Sequence, residues 1–207
     1  MVRIDASGRV TVNGTVTANG GDSPPSCYGG GGSGGSIWIS CQTFAGDTGR
    51  ISVKGGKGDN YNGGSGGGGR IAVNYNPAAQ LAAGLTVGVQ FGAGSETQVS
   101  KPPAGSSGTL YLPDAQILPS RWLSGAVVYF DPSFTQLTAT YPRMTFVGGG
   151  LVVYTVPVQF TVTDVLCVTG NVAAYDGVRF ATNTTLRVNG LVAITNARIE
   201  FIDSASA

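Results

Sequence analysis

The chain lacks histidine altogether, which removes the Ser-His-Asp and Cys-His nucleophile arrangements and every imidazole metal site. Carboxylates are scattered, at Asp5, Asp22, Asp47, Asp59, Asp114, Asp131, Asp164, Asp176 and Asp203 among others. Polysaccharide lyase chemistry needs clustered aspartates for calcium, with a basic residue on a neighbouring strand. Asp164, Asp176 and Arg179 come nearest to that pattern, but corner aspartates that shape turns are the preferred reading. Gly55-Gly56-Lys57-Gly58-Asp59-Asn60 nearly matches the calcium-binding nonapeptide, except that Asn60 stands where an aspartate belongs. No G-K-[ST] follows either glycine run and no helix opens there, so a phosphate loop is rejected. The expectation is no catalytic residue, no metal and no cofactor.

Other side chains carry different chemistry. Cys27 and Cys41 flank one glycine cluster and could close a short disulfide, or stay as small apolar residues; Cys167 is expected to be a single core residue. No C-x-x-C pair occurs. Asn13-Gly14-Thr15 and Asn183-Thr184-Thr185 are N-glycosylation sequons, relevant only in a secreted eukaryotic protein. Tyr28, Trp38 and Tyr61 lie in or beside the glycine clusters, where they either cover a glycine layer or form a surface for sugar or a partner chain.

What must position these residues is mostly strand. Hydrophobic residues make up 42% of the 207, enough for a real core, while charged residues are only 11% and net charge is +1. Such a chain offers no electrostatic footprint for nucleic acid and no basic stripe for anionic lipid. No stretch reaches the roughly 20 apolar residues of a membrane span. Helical spacing appears once, from Asn76 as N-cap through Pro77 to a stop at Gly84. Elsewhere the chain alternates with period two and is rich in Val, Ile, Thr, Phe and Tyr. Strand patterns at Met1 to Asp5 and at Arg198 to Ile202 suggest a piece of a longer chain.

Spacing suggests how the strands relate. Gly8-Arg9-Val10-Thr11-Val12, Gly49-Arg50-Ile51-Ser52-Val53 and Gly69-Arg70-Ile71-Ala72-Val73 share a pattern whose last two arginines are 20 apart (70−50). V-x-G-x-V occurs at Val12 to Val16, Val168 to Val172 and Val188 to Val192, the last two again 20 apart (188−168). A fixed period of about twenty predicts an all-β parallel β-helix, a solenoid with glycine-rich corner loops. Its inward ladders would be Val10/Val12, Ile51/Val53 and Ile71/Val73. The alternative is an antiparallel β-sandwich, since Val12-Asn13-Gly14-Thr15-Val16 and Val188-Asn189-Gly190-Leu191-Val192 both read as hairpins. Residues 1–84 read as solenoid coils, 85–122 as an irregular excursion and 123–207 as further coils. The 34 glycines follow no collagen period, and their clusters read as insertions at one corner that can pack as thin layers.

Gly31 to Ile39 (Gly-Gly-Ser-Gly-Gly-Ser-Ile-Trp-Ile), Gly49 to Gly56 and Gly67 to Val73 resemble arrays in large glycine-rich, adhesin-like surface proteins. The resemblance covers about residues 3 to 75 well and the rest only through V-x-G-x-V. It implies a pectin-lyase-like parallel β-helix, an extracellular or cell-surface location, and a role in adhesion or in building a surface fibre. The expected function is a structural or adhesive module acting by shape and self-association, with its own kind or neighbouring domains as partners. A carbohydrate-binding or polysaccharide-cleaving protein is the alternative.

Overall fold

The structure is a computed structural model, and it describes residues 1–59, 63–85, 87–94, 105–133, 136–147, 151–170, 177–181 and 183–201. It is all-β with one helix, and the pairings among the described strands are parallel.

The chain lays strands down in layers. First come β1 (Val2–Asp5), β2 (Arg9–Thr11) and β3 (Thr15–Thr17), then β4 (Ser36–Ser40), β5 (Thr43–Ala45) and β6 (Arg50–Ser52). Each strand of the second layer lies parallel on its counterpart, with Val2 opposite Ile37, Val10 opposite Phe44 and Val16 opposite Ile51. In the third layer β7 (Arg70–Asn74) continues on β4. A helix, α1 (Pro77–Ala83), then packs on β5, and β8 (Gln90–Gly92) continues on β6. Later strands are β9 (Thr109–Leu112), β10 (Arg121–Trp122), β11 (Ala126–Phe130), β12 (Leu137–Val147), β13 (Leu151–Tyr154) and β14 (Val158–Thr169). They are followed by β15 (Gly177–Phe180), β16 (Thr185–Val188), β17 (Leu191–Thr195) and β18 (Arg198–Phe201).

Two eight-stranded sheets result. Sheet one runs β1-β4-β7-β9-β11-β13-β15-β18, and sheet two runs β16-β14-β12-β10-β8-β6-β3 with β17 also on β14. Strands β8, β9 and β10, from residues 85–122, take their places in these sheets. The alternation places Ile37, Ile39, Ile51, Val53, Ile71 and Val73 in one apolar cluster, all at most 1% exposed. Burying each such side chain contributes about 1.5–3 kcal/mol. Trp122 is fully buried and donates from Nε1 to the Tyr154 hydroxyl at 3.1 Å, so its one polar atom is satisfied. Tyr154 stacks on Phe180 with ring centres 5.4 Å apart.

The helix forms as its caps predict. Asn76 Oδ1 accepts from the Ala78 and Ala79 amides, and Gly84 closes the helix at φ 58°. Gln80 explains how a helix can lie on a strand edge. Its Oε1 accepts the Phe44 amide at 2.8 Å and its Nε2 donates to the Phe44 carbonyl at 3.0 Å. One buried carboxamide thereby satisfies both backbone groups of Phe44 that an adjacent strand would otherwise pair.

Three sequence expectations need correction. The period is not twenty: Val2, Ile37 and Ile71 stack at steps of 35 and 34 (37−2, 71−37), because the glycine segments lengthen those layers. Later steps shorten to 18 between Leu110 and Val128 and 26 between Val152 and Val178. Arg9, Arg50 and Arg70 are consequently not equivalent, since they begin β2, β6 and β7, and Ile51 and Ile71 sit in different sheets while sharing the core. Nor do the Asn-Gly steps make hairpins. The strands on either side of Asn13-Gly14 pair forward to β5 and β6, and those beside Asn189-Gly190 both pair with β14. Each Asn-Gly is a corner, held at Asn13 by its Oδ1 accepting the Asp47 amide at 3.0 Å.

Candidate functional site

Two surfaces present side chains outward in an organised way. One is the glycine-built flank, where the glycine segments run out from the end of sheet two and return to the start of sheet one. Residues 18–23 and 29–35 are one such pair of arms, and 53–59 and 63–69 are the next. Their hydrogen bonds advance in threes. Gly20 and Ser23 donate to the Lys54 and Lys57 carbonyls, Gly31 and Gly34 to those of Gly64 and Gly67, and Gly66 and Gly69 to those of Gly56 and Val53, all at 2.7–2.9 Å. Three residues per turn without internal hydrogen bonds is the habit of a polyproline II helix. Arms with more than one neighbour meet facing backbone at adjacent positions, as at Gly55 and Gly56, and only glycine fits there. A Cβ on Gly31, Gly34 or Gly66 would come closer to a facing backbone carbonyl than the 3.0 Å that Cβ atoms essentially never breach. The glycine clusters therefore pack as a layered sheaf.

Asp59 organises the described end of this sheaf. Only 3% exposed, it accepts the Tyr28 amide at Oδ2 and the Gly63 amide at Oδ1, each at 2.8 Å. The carboxylate of the incomplete nonapeptide motif thus serves as a backbone clamp between two layers. Beyond it, Ser26 and Tyr28 adopt φ of 62° and 54°, left-handed values that are costly for residues with a Cβ. Tyr28 projects with 67% of its surface exposed.

The other surface is the outer face of sheet one. Parallel register aligns Arg3, Trp38, Ala72, Tyr111 and Tyr129 in one row across five successive strands. Trp38 is 42% and Tyr129 47% exposed, with Tyr111 and Ala72 half-buried. Burial, and secondarily the charge of Asp131, pushes the Tyr111 hydroxyl above its ordinary pKa. The next row along the strands reads Ser36, Arg70, Thr109 and Val127.

The structure distributes the remaining expected residues as follows. Trp38 belongs to the sheet-one row and Tyr28 to the sheaf end, so these two aromatics are on separate surfaces; Tyr61 lies outside the described residues, as do Asn60 and Asp176. Cys27 and Cys41 are not brought together. Cys27 is an exposed thiol donating to the Pro24 carbonyl, whereas Cys41 is buried in the core, where desolvation pushes its thiol pKa up. The returning sheaf arm, residues 29–35, and β4 separate them along the chain. Cys167 is a half-buried free thiol near the Thr169 hydroxyl. Asn13 and Asn183 are both exposed, Asn183 with a φ of 59°. Arg179 is engaged by Glu200 at 2.9 Å. Among the described residues no group of three or more Cys, Asp or Glu is placed to hold a metal. A shallow depression lined by Asp114, Gln116, Gln136 and Thr138 holds its carboxylate in bonds from the Tyr75 hydroxyl and Gln116.

Sequence reasoning did not find Tyr111, Tyr129 or Gln80. Tyr129 stood in an alternating run, whereas Tyr111 fell in the segment read as irregular, and only register shows that both continue the row of Trp38. Against known proteins, no family model, no curated protein and no solved structure matches the chain.

Proposed function

We propose that the chain is a structural and adhesive module of an extracellular surface protein or filament, built as a parallel β-helix and acting by shape and self-association. The observation that supports this reading is the layered parallel stacking, in which each strand layer buries its apolar side chains against its neighbours around one core. The same layer-on-layer contact made between two copies is heterologous and does not close, so it builds filaments. Sedimentation velocity over a concentration series, with electron microscopy of the heaviest fraction, tests it. Growth into elongated species is expected; a compact monomer at every concentration contradicts it.

A carbohydrate-binding role is the second reading, favoured by the outward row containing Trp38, Tyr111 and Tyr129. Turnover of any member of a polysaccharide panel, with or without calcium, would overturn the non-enzymatic reading.

A further inference from the structure

The outer face of sheet one is a regular platform assembled from distant parts of the chain. Trp38, Ala72, Tyr111 and Tyr129 occupy successive strands β4, β7, β9 and β11. Neighbouring strands are about 4.8 Å apart, so Trp38 and Tyr111 stand roughly 10 Å apart with the Ala72 methyl between them. The row is a notch with aromatic walls and a small apolar floor, continued by a further ring at Tyr129. Aromatic faces suit the flat C–H faces of pyranose rings, and an extended glycan supplies such rings at regular steps along its axis. A polymer crossing the strands at right angles meets one row position per strand.

Charge on this face narrows the choice. Asp5 is taken by Arg3 at 2.6 Å, and Asp131 accepts from the Ser133 amide and hydroxyl. Arg70, on the same strand and face as Ala72, is exposed and makes no ion pair among the described residues. Its register neighbours are the uncharged Ser36 and Thr109. Two charges without an ion-pair partner among the described residues thus flank the row: the Asp131 carboxylate, bonded only by neutral Ser133 donors near Tyr111, and beside Ala72 the Arg70 guanidinium, whose planar fork matches a carboxylate.

We propose that this face binds a linear, carboxylate-bearing polysaccharide laid along Trp38, Ala72, Tyr111 and Tyr129, with Arg70 pairing the carboxylate of the sugar over Ala72. The proposal deepens the adhesive half of the function above and rests on it, since it names what the module adheres to.

Calorimetric titration of the full chain with linear polyglucuronate, and with the same polymer after reduction of its carboxyl groups, tests it. Polyglucuronate binds the unaltered protein. Trp38→Ala and Tyr111→Ala each weaken binding roughly tenfold, while unfolding temperature stays within a few degrees because both side chains lie on the outer face of the sheet, outside the core. Arg70→Gln weakens binding of polyglucuronate about tenfold and leaves the reduced polymer unaffected. Equal affinity for both polymers overturns the carboxylate assignment. Unchanged affinity in Trp38→Ala with the fold intact overturns the site, as does absence of binding to polyglucuronate. Sedimentation of the same samples separates this failure from that of the parent reading. Self-assembly without glycan binding overturns the site alone; glycan binding by a permanently compact monomer supports the site and overturns self-association.

Discussion

Placing a methyl group on Gly66 should damage the protein far more than placing one on Gly21, although both residues lie in the same glycine-rich flank. At Gly66 the added Cβ would sit against the Gly32 carbonyl carbon and oxygen and within 2.9 Å of the Gly31 oxygen. Those atoms are backbone and are themselves bonded: the Gly32 oxygen accepts from Gly56 at 2.9 Å, and Gly66 donates to Gly56 at 2.9 Å. No side chain can swing aside, so two arms must separate and strain these hydrogen bonds. Overpacking of a rigid site costs about 1–3 kcal/mol and occasionally more, and the backbone nature of the clash argues for the upper end, about 3. For a chain of this size that lowers Tm by roughly 6–12 °C. At Gly21 nothing lies within 4 Å of the added Cβ. Gly21→Ala should therefore stay within about 0.5 kcal/mol of the parent, with reduced unfolded-state entropy in its favour. Chemical denaturation measures both, and amide exchange at Gly66 and Gly69 reports any loss confined to the sheaf. If the two variants agree within about 0.5 kcal/mol and show the same exchange, the packed-sheaf argument is wrong.

Ile71→Asp puts an unpaired carboxylate at a position 1% exposed, costs several kcal/mol, and should abolish soluble expression, whereas Arg70→Gln expresses normally because an exposed unpaired charge contributes under about 1 kcal/mol; yields and circular dichroism compare them. Gln80→Ala leaves the buried amide and carbonyl of Phe44 without partners and should destabilise by about 2 kcal/mol or more, while the same change at exposed Leu81 costs little, as denaturant midpoints would show. Burial pushes the hydroxyls of Tyr75, Tyr141 and Tyr154 above the ordinary value of 10.0, Tyr75 with help from Asp114. A raised folded-state pKa contributes stability that is intact below pH 10 and is lost as pH rises beyond it, because the unfolded chain ionises first. Ultraviolet titration should thus reveal a group of tyrosines that ionise only when the protein unfolds, and smooth titration of every tyrosine in the folded state would contradict their burial.

The sequence revealed local structure better than long-range register. Alternation correctly assigned Ile51, Val53, Ile71 and Val73 as inward residues, because a pleated strand sends alternate side chains to opposite faces. Asn76, Pro77 and Gly84 bounded the helix for equally local reasons. Register was hidden because the early layers carry long glycine excursions and the later ones do not, so the Arg-Ile-x-Val pattern recurs in different sheets and its spacing misleads. Asn13-Gly14 and Asn189-Gly190 misled similarly, since a corner and a hairpin use the same turn residues and only the partner strands distinguish them. The sheaf was partly legible: Gly63, Gly66 and Gly69 recur at steps of three, but a search for a chain-wide collagen period passes over a local one. The candidate glycan row was the least legible feature. Tyr111 and Tyr129 become neighbours of the Trp38 row only once 34-, 39- and 18-residue steps are resolved (72−38, 111−72, 129−111).

Backbone register is the claim on which the shared core, the layered stacking and the aromatic row all depend. It can be read directly from interstrand proton–proton contacts in the nuclear magnetic resonance spectrum of the labelled protein. Parallel stacking predicts contacts linking Val2 to Ile37, Ile37 to Ile71 and Ile71 to Leu110, with Arg9 near Thr43 and Thr15 near Arg50. Strong Hα–Hα contacts pairing residues on either side of Asn13-Gly14 across a hairpin, with the Ile37–Ile71 contact missing, would contradict the account.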